Sequence, residues 1–373
     1  MNLNDNQIFY RNPASGAIEF KELTDKAPYQ QWAKNLHTGA LELKEFASDS
    51  QLGLLRIADP VSTSLVQGYM PQTELIGDKL FTPVRMAKES GKFPAFGKEA
   101  FVIPTDLKRA IGGKVARILT QSGSITMSLS EYALGTAIEN RERNEWAGTP
   151  EMLLNSKLNT VASKIALLRE KNQAVLATTN GSYASGLSTS GASKKWGGAT
   201  PTGDAVKDML DLILLVQSYH GVRPNKVWFS PAAWALWRRN PAVLDLLKYQ
   251  GTPISPAQVT KQGTAALLEV AECLVGYAVY GTGAKGGGGG VGKADLTMAY
   301  LWDSVNTACA GAMVVGTGGG IEPAFGYTYE RLNSPIVESY YENATKSQVW
   351  DYEHFFDAAV TLTSAGGQYY SLA

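Results

Sequence analysis

A glycine-rich segment at residues 281–293, GTGAKGGGGGVGK, has the spacing of a phosphate-binding loop. The pattern GxGxxG begins at Gly281 and the pattern GxxxxGK ends at Lys293; in both motifs backbone N–H groups surround a phosphate. The second motif needs Ser or Thr after its lysine to hold magnesium, but Ala294 stands there. Both motifs also need a following helix, whereas ADLTMAYLW is typical of a turn and a strand. We therefore interpret the segment as a flexible surface loop, with a nucleotide-binding enzyme as the alternative.

General acid–base and nucleophilic catalysis need positioned groups, usually His, Cys or paired carboxylates. His37 lies in the N-terminal region, His220 at a predicted helix C-terminus and His354 in an aromatic strand, and we interpret all three as structural. Cys273 and Cys309 lie in apolar runs without CxxC or Cys/His spacing. This predicts small buried residues in a reducing compartment rather than a disulfide or a metal site. The sequence therefore predicts no cofactor, no metal and no enzyme.

Two tryptophans and two arginines follow one another at Trp234, Trp237, Arg238 and Arg239. Such a group could stack on nucleic acid bases. At helical spacing, however, the Trp pair is typical of a core and the Arg pair of a solvated face. We favour this structural interpretation.

The composition excludes several classes of protein. The 373 residues contain 34 basic and 34 acidic side chains, and charged residues make up 18% against about 25% in typical domains. A uniformly basic nucleic-acid coat and a self-repelling disordered chain are both excluded. The start of the chain lacks the pattern of a signal peptide, and Glu269 and Glu272 interrupt the longest apolar run, so no membrane span is predicted.

The neutral total conceals two patches of opposite charge. Residues 79–117 contain nine basic and three acidic residues, whereas residues 321–357 contain two basic and seven acidic ones. Opposite patches on one chain predict that copies recognise each other, although both could be ordinary solvated faces. The candidate contact residues of the basic segment are Arg85, Lys88, Lys92, Phe93, Phe96, Lys98, Phe101, Lys108 and Arg109. Those of the acidic segment are Glu322, Glu330, Glu338, Glu342, Asp351 and Glu353.

The patterns in the first half of the chain predict an extended N-terminal arm followed by a long, hairpin-like segment. Residues 1–74 predict an extended arm, with weak helix patterns around residues 33–46 and 51–66. In the next segment, Pro83 and Pro94 restrict two strand-like pieces to edge positions, with a Ser-Gly turn between them. The alternation in GSITMSLSEYAL predicts a half-buried strand. Together these patterns predict a hairpin-like excursion.

The second half contains the strongest helix and an α/β segment. Apolar residues at three- and four-residue spacing, with Pro150 at the start, predict a helix over residues 150–179. After a Ser/Gly/Thr linker, helices alternate with strands, among them the strand KVWFS and the helix-strand pair TAALLEVAECLVGYAVYG, which predicts a small mixed sheet covered by helices. From Tyr300 onward AYLW, AGAMVVG, AFGYTYERL and VWDYEHFFDAAVTLTS predict strands.

This order of parts resembles the major capsid proteins of tailed phages, whose fold is shared by herpesvirus capsid floor domains and encapsulins. The string VRMAKESGKFPAFGKEAF is similar to the extended-loop region of one capsid subgroup. KVWFSPAAWALWRRNPAVLDLLKY, LLEVAECLVGYAVYGTGAK and AFGYTYE resemble the apical domain and late strands of that subgroup. The resemblance extends from about residue 50 to the end.

The resemblance implies an α+β capsid fold built from four parts. These are an N-terminal arm at residues 1–74, an extended β-hairpin loop at 75–134, a peripheral domain with a long spine helix at 135–180 and 321–373, and an axial α/β domain at 181–320. It also implies self-assembly as hexamers and pentamers into an icosahedral head shell around double-stranded DNA, assembled in the host cytoplasm and located in the virion. Expected partners are further copies, portal, scaffolding or decoration proteins, and packaged DNA contacted without sequence specificity, but no membrane.

Two further expectations concern how copies join. The sequence has no motif that assigns a Lys-Asn cross-link of the kind found in some relatives, so we expect noncovalent assembly. Each basic loop is expected to lie across the acidic strands of a neighbour, with aromatic burial contributing more stability than charge. An encapsulin-type nanocompartment, which encloses cargo enzyme instead of DNA, is the alternative of the same class.

Overall fold

A computed structural model of the chain describes residues 7–11, 18–22, 31–34, 41–44, 57–67, 74–95, 108, 123–197, 201–248, 259–281, 298–319 and 322–373. The N-terminal region holds two antiparallel hairpins, β1 (Gln7–Arg11) with β2 (Ile18–Glu22) and β3 (Gln31–Lys34) with β4 (Leu41–Lys44). The helix predicted around residues 33–46 is therefore wrong, since the alternation LELK suits the strand that forms there. The helix predicted over 51–66 begins only at Pro60.

The other elements alternate between strands and helices. The strands are β5 (Ile57–Ala58), β6 (Thr82–Met86), β7 (Ser90–Ala95), β8 (Gly123–Ser128), β9 (Ser130–Glu139), β10 (Ser188–Ser190), β11 (Lys226–Phe229), β12 (Glu272–Val275), β13 (Val279–Gly281), β14 (Met298–Tyr300), β15 (Ala310–Met313), β16 (Gly326–Arg331), β17 (Ile336–Glu342), β18 (Ser347–Val360) and β19 (Gly366–Tyr370). The α-helices are α1 (Pro60–Gln67), α2 (Gly77–Leu80), α3 (Asn140–Glu145), α4 (Pro150–Thr178), α5 (Ala205–His220), α6 (Pro231–Trp237), α7 (Pro241–Lys248) and α8 (Lys261–Leu267).

Helix α4 is the predicted spine helix, and its observed bounds confirm the prediction. Its 29 residues span about 43 Å at 1.5 Å per residue. Pro150 suits the first turn because it has no N–H to leave unpaired, and the backbone becomes extended at Thr179. Leu158, Val161 and Ile165 are buried along one stripe, which packs on a sheet.

That sheet has six strands and is organised around β18. Phe356 of β18 pairs with Glu330 of β16 and with Ser130 of β9, so these two strands flank β18 on opposite sides. Strand β17 pairs with the first half of β18 and β16 with the second half. Strands β5 and β6 add outside β17 and β16. From Tyr352 onward, alternate side chains of β18 are buried, and those of Tyr352 and Phe356 pack against the spine helix.

Strands β7 and β8 form an antiparallel hairpin between β6 and β9 in the chain, so both ends of the hairpin connect to strands of this sheet. The predicted Ser-Gly turn is wrong, because Ser90 and Gly91 begin β7, and the bend falls at residues 87–89. The carbonyl of Glu89 accepts a hydrogen bond from the N–H of Leu129 at 2.8 Å, which brings the following residues into register with β8. The alternation predicted for residues 125–130 is confirmed, since Met127 is buried between two exposed neighbours.

A five-stranded mixed sheet in the order β10-β19-β15-β11-β12 confirms the predicted α/β segment. Helix α5 packs on β15 and β19, and Gly221 ends it in the left-handed conformation at φ +90°. The predicted domain boundaries stay a prediction, but one strand crosses them. Strand β19 lies in this sheet, although residues 321–373 were assigned to the other domain.

The bulky and sulfur-containing side chains lie where the structural interpretation placed them. Trp234 and Trp237 are buried in the axial core, and Arg238 and Arg239 are exposed. The two cysteines are buried free thiols, and burial raises the pKa of Cys273 to about 12. An ionised, reactive thiol is therefore disfavoured at Cys273.

Replacing Phe356 by Ala should lower the free energy of unfolding by about 3–5 kcal/mol, because its ring is fully buried and stacks on Tyr132 with centroids 4.5 Å apart. Leu214→Ala is the control, since Leu214 is 58% exposed and should change stability by less than about 0.5 kcal/mol. Urea unfolding of the dissociated subunit measures both. Equal effects would contradict the packing of β18 on the spine helix.

Candidate functional site

The face of the six-stranded sheet that points away from the spine helix carries carboxylates from three strands. Directly opposed residues of antiparallel strands share a face, and the register pairs Glu338 with Asp351 and both Ile336 and Ala133 with Glu353. At the corresponding positions of β9, β17 and the first half of β18 there is no lysine or arginine. We call this surface the acidic face; its carboxylates are Glu131, Glu139, Glu338, Glu342, Asp351 and Glu353.

The middle of the acidic face is shallow. On β9 the residues between Glu131 and Glu139 that point outward are Ala133, Gly135 and Ala137, all exposed. A Cβ at position 135 would lie 2.3 Å from Oδ1 of Asp351, so any larger residue would displace that carboxylate. The β9 part of the acidic face is therefore a strip of small residues between carboxylates, whereas Ile336 and Tyr340 of β17 are the larger residues of the same face.

The other end of the same sheet face is already covered by this chain's own hairpin. Met127 of the hairpin is buried with Val84 and Tyr329 of the sheet, and the ring of Phe93 lies 4.6 Å from that of Tyr329. Phe93 was predicted to bury against a neighbouring copy, but it packs within the chain. The hairpin therefore occupies the β6–β16 end of this sheet face.

The predicted basic contact residues have different positions. Lys88, Lys92 and Lys108 are exposed, and Lys92 lies opposite Thr126 on the side of the hairpin away from the sheet. Arg85 forms an ion pair within the chain, described below. The remaining predicted contacts fall outside the described residues; these are Phe96, Lys98, Phe101 and Arg109.

The predicted acidic contact residues also separate into two groups. Glu338, Glu342, Asp351 and Glu353 belong to the acidic face. Glu322 lies before β16 and accepts hydrogen bonds from the backbone N–H and hydroxyl of Thr317, which lower its pKa. Its local role is therefore to fix a loop.

Two carboxylates of the acidic face, Glu131 and Glu139, were not predicted. They lie in β9, outside the terminal stretch in which acidic residues were counted. The available signal was the alternation along SEYALGTAIE, which places both on the exposed side of that strand. Only the pairing of β9 with β18 brings them next to Asp351 and Glu353.

Neither a metal-binding cluster nor a membrane-spanning helix is found among the described residues. Within them, no group of three His, Cys, Asp or Glu side chains is placed to hold a metal. The glycine-rich segment predicted as a surface loop lies, beyond Gly281, outside the described residues. No helix in the described part of the chain is long and apolar enough to cross a membrane.

Comparison with known proteins gives the family. The major capsid protein of Burkholderia phage BcepMu is 30% identical over 301 residues, which cover 79% of this chain and 90% of that protein. The chain belongs to the phage major capsid protein family. No family model matches it.

Solved structures agree with this assignment of the capsid protein. A phage-related protein from Bordetella bronchiseptica RB50 matches with a TM-score of 0.66 and 25% identity, over 85% of this chain and 98% of the other. The capsid of cyanophage P-SCSP1u matches with a TM-score of 0.51 and 10% identity, over 81% and 89%. The α+β capsid fold and a place in the virion shell are therefore established.

A buried ion-pair network ties the loop base of the capsid protein to its spine helix. Glu330 of β16 lies 3.0 Å from Nη1 of Arg169 and 3.3 Å from Nε of Arg85, and Nε2 of His354 is 3.9 Å away. Burial opposes the charge of Glu330, but His354 and Arg169 outweigh it and lower its pKa to about 2. Arg169 also contacts Asp78 at 2.8 Å. Glu330 and Arg85 were predicted as inter-subunit contacts; they pair with each other within one chain, and a contact with a neighbouring copy stays a prediction.

Replacing Glu330 by Gln should lower the free energy of unfolding at pH 7 by about 3 kcal/mol, at the low end for a broken buried pair because Arg169 keeps Asp78. The folded-state pKa of Glu330 is depressed, so its contribution is present above its ordinary pKa and is lost as the pH falls towards 2. The difference between wild type and variant should therefore shrink over this range in urea unfolding.

The matched control is Glu145→Gln, which removes an exposed ion pair with Arg141 at 2.9 Å. It should cost less than about 0.5 kcal/mol at any pH. If Glu330→Gln behaved like this control, the network would not hold the loop base.

Proposed function

We propose that this capsid protein assembles as hexamers and pentamers into an icosahedral head shell that encloses double-stranded DNA. Its role is structural rather than enzymatic, and portal, scaffolding or decoration proteins join the same shell. The relative from phage BcepMu is named a major capsid protein, which favours a viral shell over an encapsulin-type nanocompartment. The predicted loop, peripheral and axial domains supply the surfaces on which copies meet.

The proposed mode of assembly rests on one face of the six-stranded sheet, whose two ends differ. The hairpin of β7 and β8 leaves at the β6–β16 end, and Phe93 fixes it there. The acidic face lies at the other end, over β9, β17 and the first half of β18. We expect the basic segment that connects β7 to β8 to contact the acidic face of another copy.

The sequence beyond the hairpin fits this role. Between Ala95 and Gly123 it holds five basic residues, including Lys98 and Arg109, against two acidic ones. An exposed ion pair contributes only about 0–1 kcal/mol, so these charges mainly select the partner and its register. Aromatic residues of the loop, Phe96 and Phe101, supply apolar area that contributes more when buried at about 25 cal/mol per Å².

The neutral charge of the chain fits a container for DNA. Each phosphate that a protein neutralises adds salt-dependent affinity for nucleic acid. With 34 basic and 34 acidic residues, the chain has no overall excess of positive charge to bind the genome tightly to the wall. Contacts with DNA on the inner face are then weak and independent of sequence.

Negative-stain electron microscopy of the purified full chain tests assembly. We expect closed, uniform shells, and in denaturing gel electrophoresis their protein should migrate as a single monomer band because assembly is noncovalent. Only small dispersed particles under all assembly conditions would argue against the shell. A ladder of covalent multimers would argue against noncovalent joining alone.

Charge reversal tests the contact between loop and acidic face. Lys92→Glu with Lys98→Glu should reduce the yield of shells, and Glu338→Lys with Glu353→Lys should do the same, because each places like charges together. Combining all four substitutions restores opposite signs and should recover part of the yield, measured by sedimentation and electron microscopy. Wild-type yield from either double variant, or no recovery in the combination, would overturn this contact.

A further inference from the structure

Residues 74–81 join three parts of the fold, and we call them the joint segment. Ile76, Leu80 and Phe81 within it are fully buried. On one side Asp78 accepts a hydrogen bond from Nε of Arg169 in the spine helix at 2.8 Å. On the other side the carbonyl of Lys79 accepts one from the ammonium of Lys226 in the five-stranded sheet at 2.9 Å. The segment then continues into β6 at the base of the extended loop.

A buried carboxylate of the spine helix holds the joint segment. Glu170, only 1% exposed, accepts hydrogen bonds from the backbone N–H groups of Ile76 at 3.0 Å and Gly77 at 2.7 Å. It also accepts one from the indole N–H of Trp302, in the 3-10 helix Leu301–Asp303, at 2.8 Å. Among the described residues no basic side chain forms an ion pair with Glu170. Its charge is therefore balanced by neutral donors alone.

Gln173, one turn further along the spine helix, places a second buried side-chain oxygen beside Gly77. Its Nε2 donates to Asp78 at 2.7 Å and to the hydroxyl of Thr328 at 2.8 Å, which fixes the orientation of the amide. Its Oε1 is buried and accepts no hydrogen bond from the described residues. A Cβ on Gly77 would lie 1.9 Å from this Oε1 and 2.6 Å from Oε2 of Glu170, so both oxygens converge beside Gly77. Both oxygens are acceptors, and the one on Gln173 has no donor among the described residues.

We propose that Glu170 and Gln173 form a buried proton-binding site that makes the joint segment sensitive to pH. A proton taken from solvent binds Oε2 of Glu170 and is donated to Oε1 of Gln173. One O–H bond forms, the carboxylate becomes a neutral acid, and no other bond changes. The orphaned oxygen of Gln173 then gains a donor, and a buried charge disappears.

The surrounding charges favour this proton. From α2 the carboxylate of Asp78 faces the site, and Arg169 on the same helix as Glu170 is already engaged by Asp78 and Glu330. On the 3-10 helix Asp303 is held by backbone N–H groups elsewhere. Burial raises the pKa of Glu170, and the nearby charge of Asp78 raises it further, against the effect of the three donors.

The direction of the pH effect follows from linkage. A carboxyl whose pKa is raised in the folded state binds its proton more tightly there than in the unfolded chain. The resulting stability is fully present below the ordinary pKa of glutamate and is lost as the pH rises through the raised value. The joint between loop base, spine helix and axial sheet is thus tightest in mild acid.

Glu170→Gln tests the site, because a neutral amide at this position takes up no proton as the pH changes. In the wild type, the equilibrium constant for unfolding in urea should rise with pH by up to tenfold per pH unit. This rise is expected between the pKa of Glu170 in the unfolded chain and its raised pKa in the folded protein, and it adds to the pH dependence that all variants share. In Glu170→Gln this extra slope should be absent. Hydrogen exchange at Ile76 and Gly77, corrected for the chemical rate, should show the same contrast.

Two further variants separate the site from general effects. Glu151→Gln, the same change in the first turn of the same helix, should keep the wild-type slope. Gln173→Met removes the acceptor and should move the extra slope to lower pH, so it tests the site even where Glu170→Gln fails to fold. Equal slopes in the wild type, Glu170→Gln and Gln173→Met would overturn the proposal, whatever the outcome for shell assembly.

Discussion

The packing of β18 against the spine helix is the contact on which the rest of the structure depends. Because alternate residues of a strand point to opposite sides, burying Tyr352 and Phe356 under the helix forces Asp351 and Glu353 outward. Strands β9 and β17 take their register from β18, so their outward residues join the same surface. A single apolar contact therefore decides which carboxylates other molecules can reach.

Charge serves two different purposes in this protein, and burial separates them. Where elements meet, Arg169 and Glu330 are desolvated and paired, so losing one partner leaves a costly buried charge. On the acidic face the carboxylates retain solvent, so each contributes little energy but together they favour a basic partner. Buried charge fixes the loop base within the chain, and under the proposed assembly exposed charge selects the neighbour.

Local patterns predicted the elements better than they predicted the site. The spine helix follows from apolar spacing alone, and the buried Trp234 and Trp237 follow from helical spacing and size. Glu330 and Glu338 look alike in sequence, since both are acidic residues of late strands. Glu330 is distinguished by distant partners such as Arg169, 161 positions earlier in the chain, which pairs with it. Likewise Phe93 reads as an exposed loop aromatic until Tyr329 is placed beside it. Long-range partners are invisible to a local pattern.

The late position of strand β19 in the chain determines when the five-stranded sheet can be completed during synthesis. The strand pairs with β15 on one side and β10 on the other, in the interior of the five-stranded sheet, yet it follows every other strand of the described residues. Until it is synthesised, β15 keeps an open edge and β10 has no partner in that sheet. The unpaired edge of β15 is then a place where a strand of another chain can pair, and β19 removes that edge as soon as residues 366–370 are available.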